Sequence, residues 1–159
     1  MLPTSRFALR LLALVCIAAL AVALISQHLF GMRPCAWCVL QRFILLVIAV
    51  ISLLASAGRE SGAWQRLGAF MIVLASASGV TAAWYQYRVA AVSFSCAQTF
   101  ADRFMTESGL DGALPWLFGI QASCSDARVS LLGLEYALWG LACFLVCALL
   151  SAWVLLRKA

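Results

Sequence analysis

Residues 34–57 have the sequence PCAWCVLQRFILLVIAVISLLASA, in which a Cys-x-x-Cys pair and one arginine lead into an uninterrupted apolar run. Between Val39 and Ala57 the only charged side chain is Arg42. As a helix, this run is long enough to cross the roughly 30 Å of hydrocarbon in a bilayer. The stretch therefore predicts a membrane-spanning helix with two thiols at its start and a guanidinium two turns further on.

The rest of the chain has the same apolar character. Of its 159 residues, 65% are apolar and 11% are charged, and the mean hydropathy is +1.02, far from the usage of soluble globular proteins. We predict an all-α membrane protein, a bundle of four transmembrane helices that forms a single membrane domain over residues 1–159. The expected spans are about 11–30, 39–57, 67–87 and 131–156, with non-cytoplasmic loops at about 31–38 and 88–130.

The distribution of charge predicts the orientation of the bundle. Six basic residues lie at the termini or between the second and third spans: Arg6, Arg10, Arg59, Arg66, Arg157 and Lys158. By the positive-inside rule, both termini and the short 58–65 link are cytoplasmic. The net charge of +5 is explained by this asymmetry and does not indicate a nucleic-acid partner.

The seven cysteines divide into two sets under this topology. Four fall on the non-cytoplasmic side, where disulfides persist: Cys35, Cys38, Cys96 and Cys124. Three fall inside the spans, where cysteine most often acts as a small apolar side chain: Cys16, Cys143 and Cys147.

The Cys-x-x-Cys pair carries the strongest indication of chemistry. In a helix that starts near the pair, Cys35, Cys38 and Arg42 occupy positions i, i+3 and i+7 and share one face. The helix N-terminus and the nearby guanidinium favour the thiolate of Cys38, whereas burial opposes it. The alternative is a structural disulfide at a helix start, with Arg42 extended toward a lipid headgroup.

Other cysteine chemistries fit the spacing less well. A tetrathiolate zinc site usually combines two short-spaced cysteine pairs, and this chain has one. Two structural disulfides are a stronger alternative, because closing the loop between Cys96 and Cys124 would stabilise the fold by roughly 3–4 kcal/mol. That alternative leaves the Cys-x-x-Cys beside an arginine unexplained. A relay of thiol–disulfide exchange from a loop pair to a pair at the lipid boundary explains both.

With these features, the chain resembles the disulfide bond formation protein B (DsbB) family of bacterial inner-membrane thiol oxidases. The resemblance covers nearly the whole chain and rests on four motifs: Pro-Cys-x-x-Cys-x-x-Gln-Arg at 34–42, Cys96 and Cys124 in the second loop, Leu-Gly-Leu-Glu at 132–135, and Trp139.

The resemblance implies a membrane thiol:quinone oxidoreductase of the bacterial inner membrane, with its redox cysteines in the periplasm. A periplasmic thioredoxin-fold oxidase (DsbA-like) would attack Cys96, whose disulfide mate would be Cys124. Electrons would then pass to Cys35 and Cys38, and from there to membrane ubiquinone or menaquinone. Cys38 would lie nearest the quinone, and Arg42 would stabilise charge on the thiolate and on the reduced ring.

The chain departs from the family pattern in two places. Tyr136-Ala137 replaces the usual Met-Pro after the Leu-Gly-Leu-Glu segment. At the outer end of the third span, where relatives can carry a histidine, residues 84–88 read WYQYR. A vitamin K epoxide reductase-like enzyme is the second enzymatic alternative, but there the loop pair precedes the Cys-x-x-Cys. A non-enzymatic tetraspan protein with two structural disulfides is the alternative from another class.

Overall fold

A computed structural model describes residues 5–58, 62–90, 99–127 and 129–157 of the protein. Four of its helices are long and apolar enough to cross a membrane. They are α1 (Ser5–Phe30), α2 (Ala36–Ala57), α3 (Gly62–Tyr85) and α7 (Tyr136–Leu156). The last turn of the third span widens into a π-helical turn, Gln86–Ala90. The predicted all-α bundle of four transmembrane helices is confirmed.

The four long helices pack in a ring in which α2 contacts α1 and α3, and α7 contacts α3 and α1. Small residues on α3 allow its close approach to α7. A Cβ atom on Gly79 would lie 2.3 Å from a ring carbon of Phe144, so only glycine fits beneath that ring. Close packing over small residues is the usual way in which helices associate in lipid, where burial of apolar surface contributes little.

One end of the bundle gathers the basic residues. Arg6 Nη2 donates to the carbonyl of Gly58 at 3.0 Å, and Arg66 Nη2 donates to the carbonyl of Arg157 at 3.0 Å. The starts of α1 and α3 and the ends of α2 and α7 therefore meet at one end. The Cys-x-x-Cys lies at the other end, at the start of α2.

The segment between α3 and α7 covers the Cys-x-x-Cys end of the bundle. Its short helices are α4 (Phe100–Glu107), α5 (Leu110–Ala113) and α6 (Pro115–Phe118). Thr99 and Asp102 form a capping box at the start of α4. Met105 is fully buried, and the rings of Phe104 and Phe43 lie 5.8 Å apart between centroids, so α4 is packed against α2.

The last helix begins at Tyr136, whereas the sequence predicted a span from residue 131. The intervening residues form a hairpin in which β1 (Ser130–Leu131) pairs antiparallel with β2 (Leu134–Glu135). Its two turn residues, Leu132 and Gly133, have φ values of 54° and 81°. Positive φ at both positions is the geometry of a tight type I′ hairpin turn, which apolar composition alone does not reveal.

Candidate active site

The Cys-x-x-Cys pair straddles the first turn of α2. Cys35 is the N-cap residue, with extended main-chain angles of φ −88° and ψ 171°, and its carbonyl accepts a hydrogen bond from the Val39 amide at 3.0 Å. Cys38 follows one turn later, and the two sulfur atoms lie 3.1 Å apart as free thiols. The predicted placement of the pair at a helix start is thus observed, and the helix N-terminus can stabilise negative charge on either sulfur.

Cys124 joins this pair through a main-chain link between the two loops. The carbonyl of Pro34 accepts hydrogen bonds from the amides of Gln121 at 2.9 Å and Ala122 at 3.3 Å. This link brings Cys124 beside Cys35 in one packed cluster, close enough for each thiol to shift the pKa of the other. Three of the four predicted redox cysteines therefore meet at one point. The fourth, Cys96, lies outside the described residues.

The contact between these two thiols makes them unequal. The neighbouring Cys124 and Cys38 thiols, together with burial, raise the pKa of Cys35 well above its ordinary value. The Cys35 thiol in turn lowers the pKa of Cys124. Cys35 therefore keeps its proton, and Cys124 is the more readily ionised member of the pair.

Arg42 points into the protein. The residue is 6% exposed. Nη1 donates to Gln27 Oε1 at 2.5 Å and to the Leu117 carbonyl at 3.1 Å, and Nη2 lies 3.3 Å from the Ala23 carbonyl. The arginine thus joins α1, α2 and the loop helix α6. These contacts do not fit the alternative in which Arg42 extends toward a lipid headgroup.

Two glutamines for which the sequence suggested no role lie beside Cys38. Gln86 Nε2 donates to the Cys38 sulfur at 3.1 Å, and Gln86 Oε1 accepts from Gln41 Nε2 at 2.5 Å. Both side chains are buried. The signal that could have found them is their position at membrane depth, where a polar side chain needs a partner and is by default functional.

A cavity of about 270 Å³ lies between α1, α2 and α7, beside Cys38 and Arg42. Most of its wall is apolar, with contributions from Val22, Leu45 and Ala137. Polar groups are concentrated on one side, where Cys38, Gln41, Arg42 and Gln86 line it. A mostly apolar cavity with a few convergent polar groups is the usual form of a small-molecule site.

Comparison with known proteins identifies the family of the chain. Residues 5–154 match the family described as Disulfide bond formation protein DsbB. The chain belongs to the DsbB family. Among its DsbB relatives, Disulfide bond formation protein B of Verminephrobacter eiseniae (strain EF01-2) is 35% identical over 158 residues, covering 97% of this chain and 88% of the relative.

Two further DsbB relatives have the same name and a similar extent. The protein of Herminiimonas arsenicoxydans is 34% identical and covers 97% of both chains. That of Azoarcus sp. (strain BH72) is 35% identical and covers 90% of this chain and 87% of its own. The chain is therefore a multi-pass inner-membrane enzyme of disulfide bond formation, a thiol oxidoreductase. The family match does not favour the vitamin K epoxide reductase-like or the non-enzymatic alternative.

Proposed function

We propose that this protein oxidises a reduced thioredoxin-fold oxidase of the periplasm (DsbA-like) and delivers the electrons to a membrane quinone. One observation carries the proposal. The Cys-x-x-Cys pair contacts Cys124 of the loop through one sulfur, Cys35, and borders the apolar cavity through the other, Cys38. A pair placed in this way can exchange with a loop disulfide on one side and with a lipid-soluble oxidant on the other.

The entry of electrons is assigned to the loop pair, Cys96 and Cys124. The thiolate of the soluble partner attacks Cys96, and the loop pair becomes reduced as the partner becomes oxidised. The contact between Cys124 and Cys35 supports direct exchange between the two pairs, since thiol–disulfide exchange requires one sulfur to reach the other.

The exit of electrons is assigned to Cys38 and the cavity, where Arg42 and Cys38 are the proposed quinone-binding residues. The fit is supported by apolar walls with a few polar groups on one side, suited to a flat ring with polar oxygens. Conversion of Cys35 and Cys38 to a disulfide releases two electrons and two protons, the number that a quinone takes up in becoming its hydroquinone. Arg42 provides fixed positive charge and planar N–H donors beside the sulfur.

The orientation proposed for this chemistry follows the charge asymmetry. With both termini and the 58–65 link in the cytoplasm, the cysteine-bearing end faces the periplasm, which is oxidising and where a soluble partner is available. Reporter fusions after residue 111 and at the C-terminus test this. A cytoplasmic signal from residue 111 would contradict both the orientation and the partner.

The decisive test is turnover by the purified protein. We expect it to oxidise a reduced thioredoxin-fold partner through many turnovers only when a quinone is supplied, with one quinone consumed per partner disulfide formed in the steady state. Ubiquinone and menaquinone analogues tested in parallel identify the acceptor. Repeated turnover of the partner, beyond what the protein's own disulfides can oxidise, without any quinone consumption would reject the exit proposed through Cys38.

A trapping experiment tests the proposed order of transfer. With a partner that lacks its own resolving cysteine, a mixed disulfide should accumulate at Cys96 and be seen as a heavier band on non-reducing gels. The band should vanish in Cys96→Ser and persist in Cys35→Ser, which should nevertheless fail to turn over. A trapped bond that mapped to Cys35 or Cys38 would place the entry point elsewhere.

A further inference from the structure

A chain of two buried amides ends at the sulfur that borders the cavity. Gln86 and Gln41 are 7% and 8% exposed, so neither relies on water for its hydrogen bonds. Gln41 Nε2 donates to Gln86 Oε1 at 2.5 Å, and Gln86 Nε2 donates to Cys38 Sγ at 3.1 Å. Each bond points the same way, with its donor toward the next acceptor and the last donor toward Cys38.

Two backbone features put these amides in place. Gln86 is the first residue of the π-helical turn, a rare irregularity that is frequent at functional sites. Gln41 occupies space left by Gly140 of α7, because a Cβ atom at Gly140 would lie 2.5 Å from Gln41 Oε1. A glycine at this point therefore keeps the first amide aligned with the second.

We propose that Gln86 is a catalytic residue that stabilises the Cys38 thiolate through its side-chain N–H, and that Gln41 and Gly140 are positioning residues for it. The thiolate is the form of cysteine that exchanges and gives up electrons. In a mostly apolar site a charged sulfur is unfavourable without a donor. The bond from Gln41 polarises the Gln86 amide and strengthens its N–H as a donor.

The Gln41–Gln86 bond alone could be a structural contact between helices, since amide side chains often join helices in lipid. A structural contact between the helices would need only the two glutamines and no hydrogen bond to Cys38. The bond to Cys38 distinguishes the two roles, because it directs the free end of the amide pair at a reacting atom. The role of Gln86 in turnover rests on the proposed function of Cys38, whereas its effect on the thiol does not.

The test measures the reactivity of Cys38 in the full-length protein, without partner or quinone. The protein is reduced in detergent and treated with iodoacetamide at pH 7.5, and tandem mass spectrometry quantifies alkylation at Cys38. Because hydrogen bonds to charged groups are stronger than neutral ones, we expect Gln86→Leu to slow alkylation roughly tenfold or more. Gln86→Glu, which keeps the shape but loses the donor, should slow it at least as much.

Gly140→Ala tests the positioning residues without altering Cys38 or Gln86. The added methyl displaces the end of Gln41, and we expect roughly threefold slower alkylation because the Gln86 amide loses its polarising partner. Gly112→Ala is the matched control, since nothing lies within 4 Å of a Cβ atom at that position. It should react like the unaltered protein.

Thermal unfolding midpoints separate a loss of the donor from a loss of the fold. Alkylation within twofold of the unaltered protein in a folded Gln86→Glu or Gln86→Leu variant would overturn the proposal. If Gln86→Leu does not purify as folded protein, Gln86→Glu and Gly140→Ala decide alone: slower alkylation supports the donor role, and unchanged alkylation in both rejects it.

Steady-state kinetics provide a readout that a purely structural contact would not move. Gln86→Glu should lower kcat while leaving the quinone KM within about twofold, because the donor acts on the sulfur and not on the ring. Failure of quinone-dependent turnover in the unaltered protein would reject the proposed function and leave the alkylation result intact. The two failures are therefore distinguishable.

Discussion

The described part of the chain contains two clusters of cysteine thiols, which differ in the residues that surround them. The outer cluster consists of Cys35, Cys38 and Cys124. The inner cluster consists of Cys16, Cys143 and Cys147. In the inner cluster, the Cys16 and Cys147 sulfurs lie 3.7 Å apart and both residues are fully buried. Cys143 borders the cavity and packs against the same cluster. Distance between sulfurs is thus similar in both clusters.

What separates the clusters is the set of neighbours. The outer thiols have an amide donor, a guanidinium and a helix N-terminus within reach, all of which favour a thiolate. Cys16 and Cys147 of the inner cluster are packed among Leu12, Ile48, Ile72 and Phe144. Because the distance between sulfurs does not distinguish the clusters, our proposal assigns redox chemistry to the outer cluster on the polar groups that stabilise a thiolate there.

The largest expected difference between the clusters is in turnover. Cys38→Ala should abolish quinone-dependent oxidation of the partner, because no other sulfur among the residues that the structure describes both borders the cavity and contacts Cys35. Cys147→Ala, the matched change in the inner cluster, should leave kcat within about twofold. If both folded variants lost kcat to a similar extent, the proposal that only the outer cluster takes part in turnover would be wrong.

The next effect concerns the guanidinium that the outer cluster has and the inner cluster lacks. We expect Arg42→Ala to raise the quinone KM roughly tenfold or more, through the loss of charged donors. Arg42→Lys should recover only part of this, since an ammonium lacks the planar fork. Mixed-disulfide formation with the partner should be little affected.

Steady-state assays with varied quinone measure this effect, and Arg103→Ala, at an exposed arginine of α4, is the control. Unchanged quinone dependence in a folded Arg42→Ala protein would remove the arginine from the site.

A smaller effect is a difference in alkylation rate between two thiols of the outer cluster, Cys124 and Cys35. Because the pKa of Cys124 is lowered and that of Cys35 is raised, alkylation of the reduced protein should reach Cys124 first as the pH is increased from 6 to 9. The Cys124→Ala variant lacks the thiol that raises the pKa of Cys35. Its Cys35 should therefore have a lower pKa and be alkylated roughly threefold faster or more at pH 8. Site-resolved mass spectrometry measures both rates. Equal rates at Cys35 and Cys124 throughout would contradict the opposite shifts of their pKa values.

The smallest effect is one of packing in the inner cluster. Cys147→Ala should lower the free energy of unfolding by about 1 kcal/mol, because it removes a buried sulfur without replacing it. Unfolding in mixed detergent micelles measures this, with Cys143→Ala, at a partly exposed thiol, as the milder comparison. A large activity loss with no loss of stability would instead indicate that the inner thiols take part in the chemistry.

The four spans and the Cys-x-x-Cys at a helix start were predictable because apolar runs and cysteine spacing are local properties. The contact between Cys124 and Cys35 was not, because it depends on a main-chain link from Pro34 to residues 121 and 122. The hydrogen bond from Gln86 to Cys38 was equally hidden. It depends on a π-helical turn and on space at Gly140, neither of which has a local signature in the sequence.

The start of the last helix was misplaced for a related reason. Leu131, Leu132 and Leu134 are as apolar as the helix that follows, so hydropathy extends the span across them. The structure instead turns at Leu132-Gly133, and Trp139 Nε1 donates to the Leu131 carbonyl at 3.1 Å to hold the hairpin on the helix. Turn geometry overrides composition at this boundary.

The partners of Arg42 have a consequence for biosynthesis. Two of its acceptors, Gln27 Oε1 and the Ala23 carbonyl, belong to α1 and emerge from the ribosome before the arginine itself. The third, the Leu117 carbonyl, is synthesised only after α3. A guanidinium without hydrogen-bond partners is costly in hydrocarbon. We therefore expect α1 and α2 to leave the translocon together as a hairpin, with Arg42 already hydrogen-bonded to α1.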